Sequence, residues 1–152
     1  MIQDALLAIF HHLTVFTLLA LLAAECALII APMTALKIHL LGRLDLAYGL
    51  CAVLVLLAGF LRVFYGAKGS AFYLHNPLFM LKIILFAGVA ILSMLPTIRF
   101  LQWRRRLRKE PAWLPAEMEV RSVAGWIKAE LLVFSGIPVL AALMARGIGY
   151  TS

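Results

Sequence analysis

Four apolar runs constrain this chain more than any other feature. They lie at roughly residues 6–31, 46–65, 77–95 and 123–145 and consist mostly of Leu, Ala, Ile, Val and Phe. Each has about twenty residues or somewhat more. As a helix rising about 1.5 Å per residue, such a run crosses a hydrocarbon core of roughly 30 Å. The apolar residues do not alternate with polar ones at period two, which excludes barrel strands. Inside lipid a segment must satisfy its own backbone, and the helix does so. With 64% of 152 residues hydrophobic and 14% charged, nothing is left over for a soluble domain. The expected fold is all-α: an integral membrane four-helix bundle, one transmembrane domain over residues 1–152.

The first run does not read as a signal peptide. Its N-terminal flank carries Asp4 and no Lys or Arg, and Glu25 before Cys26 is too large and charged for a lipoprotein cleavage site. It is read as a retained helix.

Basic residues set the orientation. Arg99, Arg104, Arg105, Arg106, Arg108, Lys109 and Arg121 fall between the third and fourth runs, and Lys37 and Arg43 fall between the first and second. In a four-span protein both connections lie on one side, which the positive-inside rule makes cytoplasmic. Both termini and the Gly66–Asn76 loop then face outward. The net charge of +7 is accordingly a topology signal and no argument for nucleic acid. Trp103 and Trp113 near the arginine cluster would assist binding to anionic lipid. Cys26 and Cys51, read as neighbours toward the reducing side, are expected to be free thiols.

The polar groups inside the runs are the candidates for function. Glu25 is the only charge between Leu13 and Pro32, and a carboxylate at that depth must face protein or water, find a partner, or hold a proton. Arg43 and Arg99 are the first candidates for a charged partner. His11, Val15, Leu18, Leu22, Glu25 and Ile29 share one stripe. Fourteen residues bring Glu25 to within about 40° of His11 and about 21 Å deeper. His12 points about 100° away from His11, so the pair cannot hold one metal from one face.

Pro32 should end the first helix, leaving His39 in a solvated loop, and Asp45 should cap the second. Ala52, Gly59 and Gly66, with Gly49 before them, form a stripe of small residues that lets a helix or a flat cofactor approach. Asn76-Pro77 should open the third helix. Arg62 and Lys82 lie at matched depth near the outer ends of the second and third runs. Two uses compete for them: snorkelling to headgroups, or facing one cavity with a histidine. Glu130 reads as a surface partner of Lys128, Arg99 or Arg121. Two polar layers result, an outer one with His11, His12, Arg62 and Lys82, joined by His75 and Arg146, and an inner one with Glu25, Asp45, Glu130 and basic partners.

The residues His11-His12-Leu13, Glu25, Asp45 with Tyr48-Gly49, Arg62-Val63-Phe64-Tyr65-Gly66, Phe72-Tyr73, Asn76-Pro77, Lys82 and the closing Ala141–Gly147 segment resemble a bacterial family of small integral membrane proteins. It is known as domain of unknown function 2214. That resemblance implies four helices, a bacterial inner membrane and periplasmic termini, and no particular activity. More loosely, His12-Leu13 and Lys82-Ile83 resemble positions in the HemJ-type four-helix membrane proteins. That second resemblance implies haem b held by a histidine of the first helix.

Imidazole suits an axial position, and Arg62 and Lys82 are cations of the kind propionates need. The resemblance favours His12 as ligand, the Glu25 face favours His11, and His12 is the expected one. The second axial position falls to His75 or Lys82, or stays open. Three functions follow as expectations, and whether the chain is an enzyme stays open. The first is a haem redox protein exchanging electrons with quinone or another partner. The second is a transporter or proton conductor using Glu25, for which four helices make a narrow pore unless the protein forms a homodimer. The third is a structural subunit.

Overall fold

The computed structural model describes residues 2–30, 32–66 and 69–149. The elements are α1 (Ile2–Ile30), α2 (Ala35–Tyr65), a short α3 (Gly69–Leu74), α4 (Pro77–Lys109) and α5 (Glu117–Ala145). The four long helices each contain a stretch apolar enough to cross a membrane. The all-α four-helix membrane fold is thus the fold the chain adopts. Ala31, Lys68 and the end of the chain at Ser152, all touched by the sequence reading, lie outside the described residues.

The helices begin where side chains can take over free backbone amides. Thr34 caps α2, its hydroxyl accepting from the Lys37 amide at 3.3 Å. Asn76 caps α4, its side chain accepting from the Leu78 amide at 2.9 Å, with Pro77 as the first helical residue. At the other end of α4, Arg106, Arg108 and Lys109 occupy the last turn, where cations complement the helix dipole.

Every long helix outruns the apolar segment that announced it. Helix α2 starts at Ala35, so Asp45 is not its cap, and His39, Lys37 and Arg43 ride on the helix instead of a loop. Helix α4 continues through Pro96 to Lys109. Most of the arginine cluster therefore forms a helical extension, and the true connection is the short stretch 110–116. At 33 residues, α4 is about 50 Å long against a hydrocarbon core of roughly 30 Å. Polar residues next to a helical run can stay helical once they leave the lipid, and hydropathy does not register that.

The helices run up and down. Within the bundle α1 packs along α2 and α4 along α5, while α1 against α5 and α2 against α4 close the ring. The inward stripe of α1 is His11, Thr14, Leu18, Leu22, Glu25 and Ile29. It meets Ile38, Leu41, Tyr48, Cys51 and Val55 of α2 and Val123, Ile127, Phe134 and Ile137 of α5. Leu36, Leu46, Phe64, Ile91 and Leu132 are each more than 60% exposed, as lipid-facing side chains should be.

The two ends of the bundle are held unequally. At the arginine end Trp103 is buried, and its indole donates to Glu119 at 2.7 Å. Trp103 is thus a core residue and does not sit at the lipid interface. Arg106 stacks over Trp113 at 4.8 Å, and Arg104 folds across Gly42, tying α4 to α2. At the opposite end only Val89 of α4's apolar half is fully buried.

Cys51 lies beside Thr14, its thiol donating to the Thr14 carbonyl at 3.3 Å, so the two free cysteines are far apart along α1 and not neighbours. With Cys26 and Cys51 replaced by Ser, single cysteines introduced as Arg105→Cys and Arg146→Cys report opposite ends of the bundle. In intact cells an impermeant maleimide should label the second and reach the first only after permeabilisation. Equal labelling of both would contradict the arrangement of the helices, and reversed labelling would contradict the orientation.

Candidate functional site

Two polar groupings sit inside the bundle, one at each end. The first is a cleft among α1, α2 and α4, lined by His11, Gly59, Arg62, Lys82 and the aromatic rings of Phe60, Tyr73, Phe79 and Phe86. Its volume is about 80 Å³. His11 is 8% exposed. Its Nδ1 is buried and has no hydrogen-bond partner. Nε of Arg62 is also buried and unpartnered. Among the described residues no ion pair joins Arg62 or Lys82 to a carboxylate. Both cations line the cleft beside His11.

Gly59 explains the close approach of α2 to the imidazole. A methyl group at this position would lie 3.5 Å from Cε1 of His11. The small-residue stripe does not act as one seam, however, because Gly49 faces open space.

The other expected members of this layer are elsewhere. His12 is exposed, its Nδ1 lying 2.6 Å from the Ala8 carbonyl of its own helix and its ring edge-on to His11. The expected ligand His12 thus points out of the bundle, and His11 takes the place in the cleft. The cause is the 100° step between adjacent residues on a helix. His75 is exposed in the turn before Asn76 and does not line the cleft.

The second grouping lies toward the arginine end. Glu25 is 2% exposed and Glu130 1%. The Tyr48 hydroxyl donates to Oε1 of Glu130 at 2.6 Å, and the Thr97 hydroxyl donates to Oδ1 of Asp45 at 2.6 Å. The charged groups that act on Glu25 are Asp45 and Glu130. Neither expected cation reaches it, since Arg43 is exposed and Arg99 leans toward Glu119 at 3.6 Å.

Glu130 is no surface residue. It falls on the buried stripe Val123, Ile127, Glu130, Phe134, Ile137 of α5, whose alternating spacing of four and three marks an inward face. That signal was present in the sequence, and the charges at Lys128 and Arg121 masked it. Tyr48, a further missed residue, sits one turn after Asp45 on the same helix.

About 21 Å separates the two groupings along α1, and Leu18 and Leu22, fully buried, fill the space between them. They are separate sites. No three His, Cys, Asp or Glu side chains among the described residues are placed to hold a metal ion.

A family model described as a predicted membrane protein (DUF2214) matches residues 3–149. The chain belongs to this family. No curated protein and no solved structure matches it significantly, so the looser likeness to HemJ-type proteins gains no support from these comparisons. Membership in DUF2214 accords with the four membrane helices and leaves the chemistry to be read from the two polar groupings.

The bond between Tyr48 and Glu130 offers a direct measure of what those groupings contribute. Tyr48→Phe leaves a buried carboxyl oxygen without its donor and should cost about 1–3 kcal/mol, read as a lower thermal midpoint in detergent. Thr17→Val removes only an exposed bond to the Leu13 carbonyl and should leave the midpoint unchanged. Equal effects of the two would deny the buried bond its role.

Proposed function

We propose that the protein binds the oxygen-bearing part of a flat, lipophilic redox molecule in the His11 cleft and takes part in electron transfer within a bacterial inner membrane. One observation carries this reading. An imidazole, a guanidinium and an ammonium from three helices converge on one apolar, aromatic-lined cleft, and two of the three have buried atoms without partners.

Holding two cations at the same depth is unfavourable unless something negative or electron-rich comes between them. Anionic or carbonyl oxygens meet that need, and the phenyl rings suit a planar ring system. Haem b and a quinone share this chemistry. For haem b, His11 would hold the iron, and Arg62 and Lys82 would take the propionates. Haem supplies four nitrogen ligands of its own, so a single histidine suffices. A cleft of about 80 Å³ admits the head of such a molecule, and the rest would lie between the helices and lipid. For a quinone, the same donors would serve its carbonyl oxygens. In either case the chain's residues orient the group and exclude water, and the bound group supplies the electron chemistry.

With the arginine end in the cytoplasm, the cleft lies in the periplasmic half of the membrane. The reading is tested on detergent-purified protein from cells with ample haem supply. A Soret band that His11→Ala removes and His12→Ala preserves supports haem b. Without such a band, equilibrium binding of ubiquinone that weakens at least tenfold in Arg62→Ala supports a quinone. Gly59→Leu should block either ligand by growing against His11, while Gly59→Ala should be tolerated. Absence of both ligands would overturn the proposal.

A further inference from the structure

We infer that Glu25, Asp45 and Glu130 form a proton-binding site within the membrane, with Glu25 holding the exchangeable proton. The three carboxyl groups come from three helices, α1, α2 and α5, and the fourth long helix supplies Thr97. Each hydroxyl donor of the cluster is already spent, Tyr48 on Glu130 and Thr97 on Asp45. Glu25 is the member left over. It is the most enclosed polar group on its helix face, and its Oε1 has no hydrogen-bond partner.

The groups facing Glu25 offer it no compensating charge. Helix α2 presents Asp45 and Tyr48, α5 presents Glu130, and α4 presents the neutral Thr97. The cations near this end are turned elsewhere: Lys128 and Arg43 are exposed, Arg99 leans on Glu119, and Arg104 lies across Gly42, one turn beyond Asp45. Three adjacent carboxylates without a cation do not stay charged together in a low-dielectric interior. A metal ion is the other way to neutralise them, but the carboxyls are not grouped to hold one. A proton needs no such convergence, since one carboxyl can carry it and its neighbours can repel it when they ionise.

A groove of about 350 Å³ between α2 and α4 is lined by Asp45, Tyr48 and Thr97, though not by Glu25, and continues past Val53 to Phe86. Toward the His11 cleft, Leu18 and Leu22 seal the interior. The site therefore exchanges its proton through Asp45 and the groove, and the two leucines keep it apart from the His11 cleft. In the release step the carboxylic O–H of Glu25 breaks, water reached through the groove accepts the proton, and a carboxylate remains.

The test is infrared spectroscopy of the purified protein during a pH titration. The wild type should show the carbonyl band of a protonated carboxyl group that disappears on alkalinisation. In Glu25→Gln that band should be lost, one fewer proton should be released, and thermal stability should hold, because Gln mimics the neutral acid. Glu130→Gln should keep the band and move its titration midpoint toward acid. A band unchanged in Glu25→Gln would overturn the proposal. So would failure of Glu25→Gln to fold, which would show that a charged carboxylate is required. Loss of the band on replacing choline by sodium at constant ionic strength would instead identify a cation site. Ligand binding at the His11 cleft should be unaffected in both variants, so the two sites can fail separately.

Discussion

Lipid removes the usual reason for helices to associate, because an apolar side chain is as well placed against an acyl chain as against another helix. The Tyr48–Glu130 hydrogen bond therefore matters out of proportion to its size. It joins α2 to α5, helices that are diagonal in the ring and make little direct contact. Thr97 to Asp45 joins α4 to α2, and Trp103 to Glu119 joins α4 to α5. Three specific polar links thus connect the two helix hairpins or brace one internally. All lie toward the arginine end. Close contacts of small residues add to them: Gly88 faces Val133, and Gly136 faces Leu85.

What the sequence disclosed follows the range of each signal. Hydropathy is local and strong, so the four spanning segments were plain. It goes silent where a helix leaves the lipid, which is why the starts of α1, α2 and α5 and the long extension of α4 escaped it. Asp45 looked like a cap because it stood at an apolar boundary, yet that boundary was the membrane's and not the helix's. The facing of individual residues was legible only through periodicity. Followed strictly, periodicity puts His11 on the inward stripe with Leu18, Leu22 and Glu25, and leaves His12 outside. It also puts Glu130 inward. Which groups meet across helices was not legible at all, because the register between antiparallel helices depends on turn lengths and side-chain fit that no single segment contains.

The uneven bracing of the bundle bears on where a ligand can enter. At the arginine end α4 is pinned by an indole, a guanidinium stack and an arginine laid over a glycine. At the other end the Asn76 side chain reaches the Ile148 carbonyl at 3.4 Å, and Gly149 adopts a positive φ that brings its backbone against Asn76. That clasp fixes the start of α4 to the segment after α5, and it leaves the face of α4 toward α1 and α2 free. The cleft opens along that face. A bundle pinned at one end and clasped only at the rim of the other can admit a ring-shaped molecule between α2 and α4 without disturbing Tyr48, Glu130 or Glu25. On the proposed reading, the loose packing of α4 beside Arg62 and Lys82 admits the lipid-borne molecule, and the tight packing at the arginine end keeps the carboxyl groups at fixed spacing.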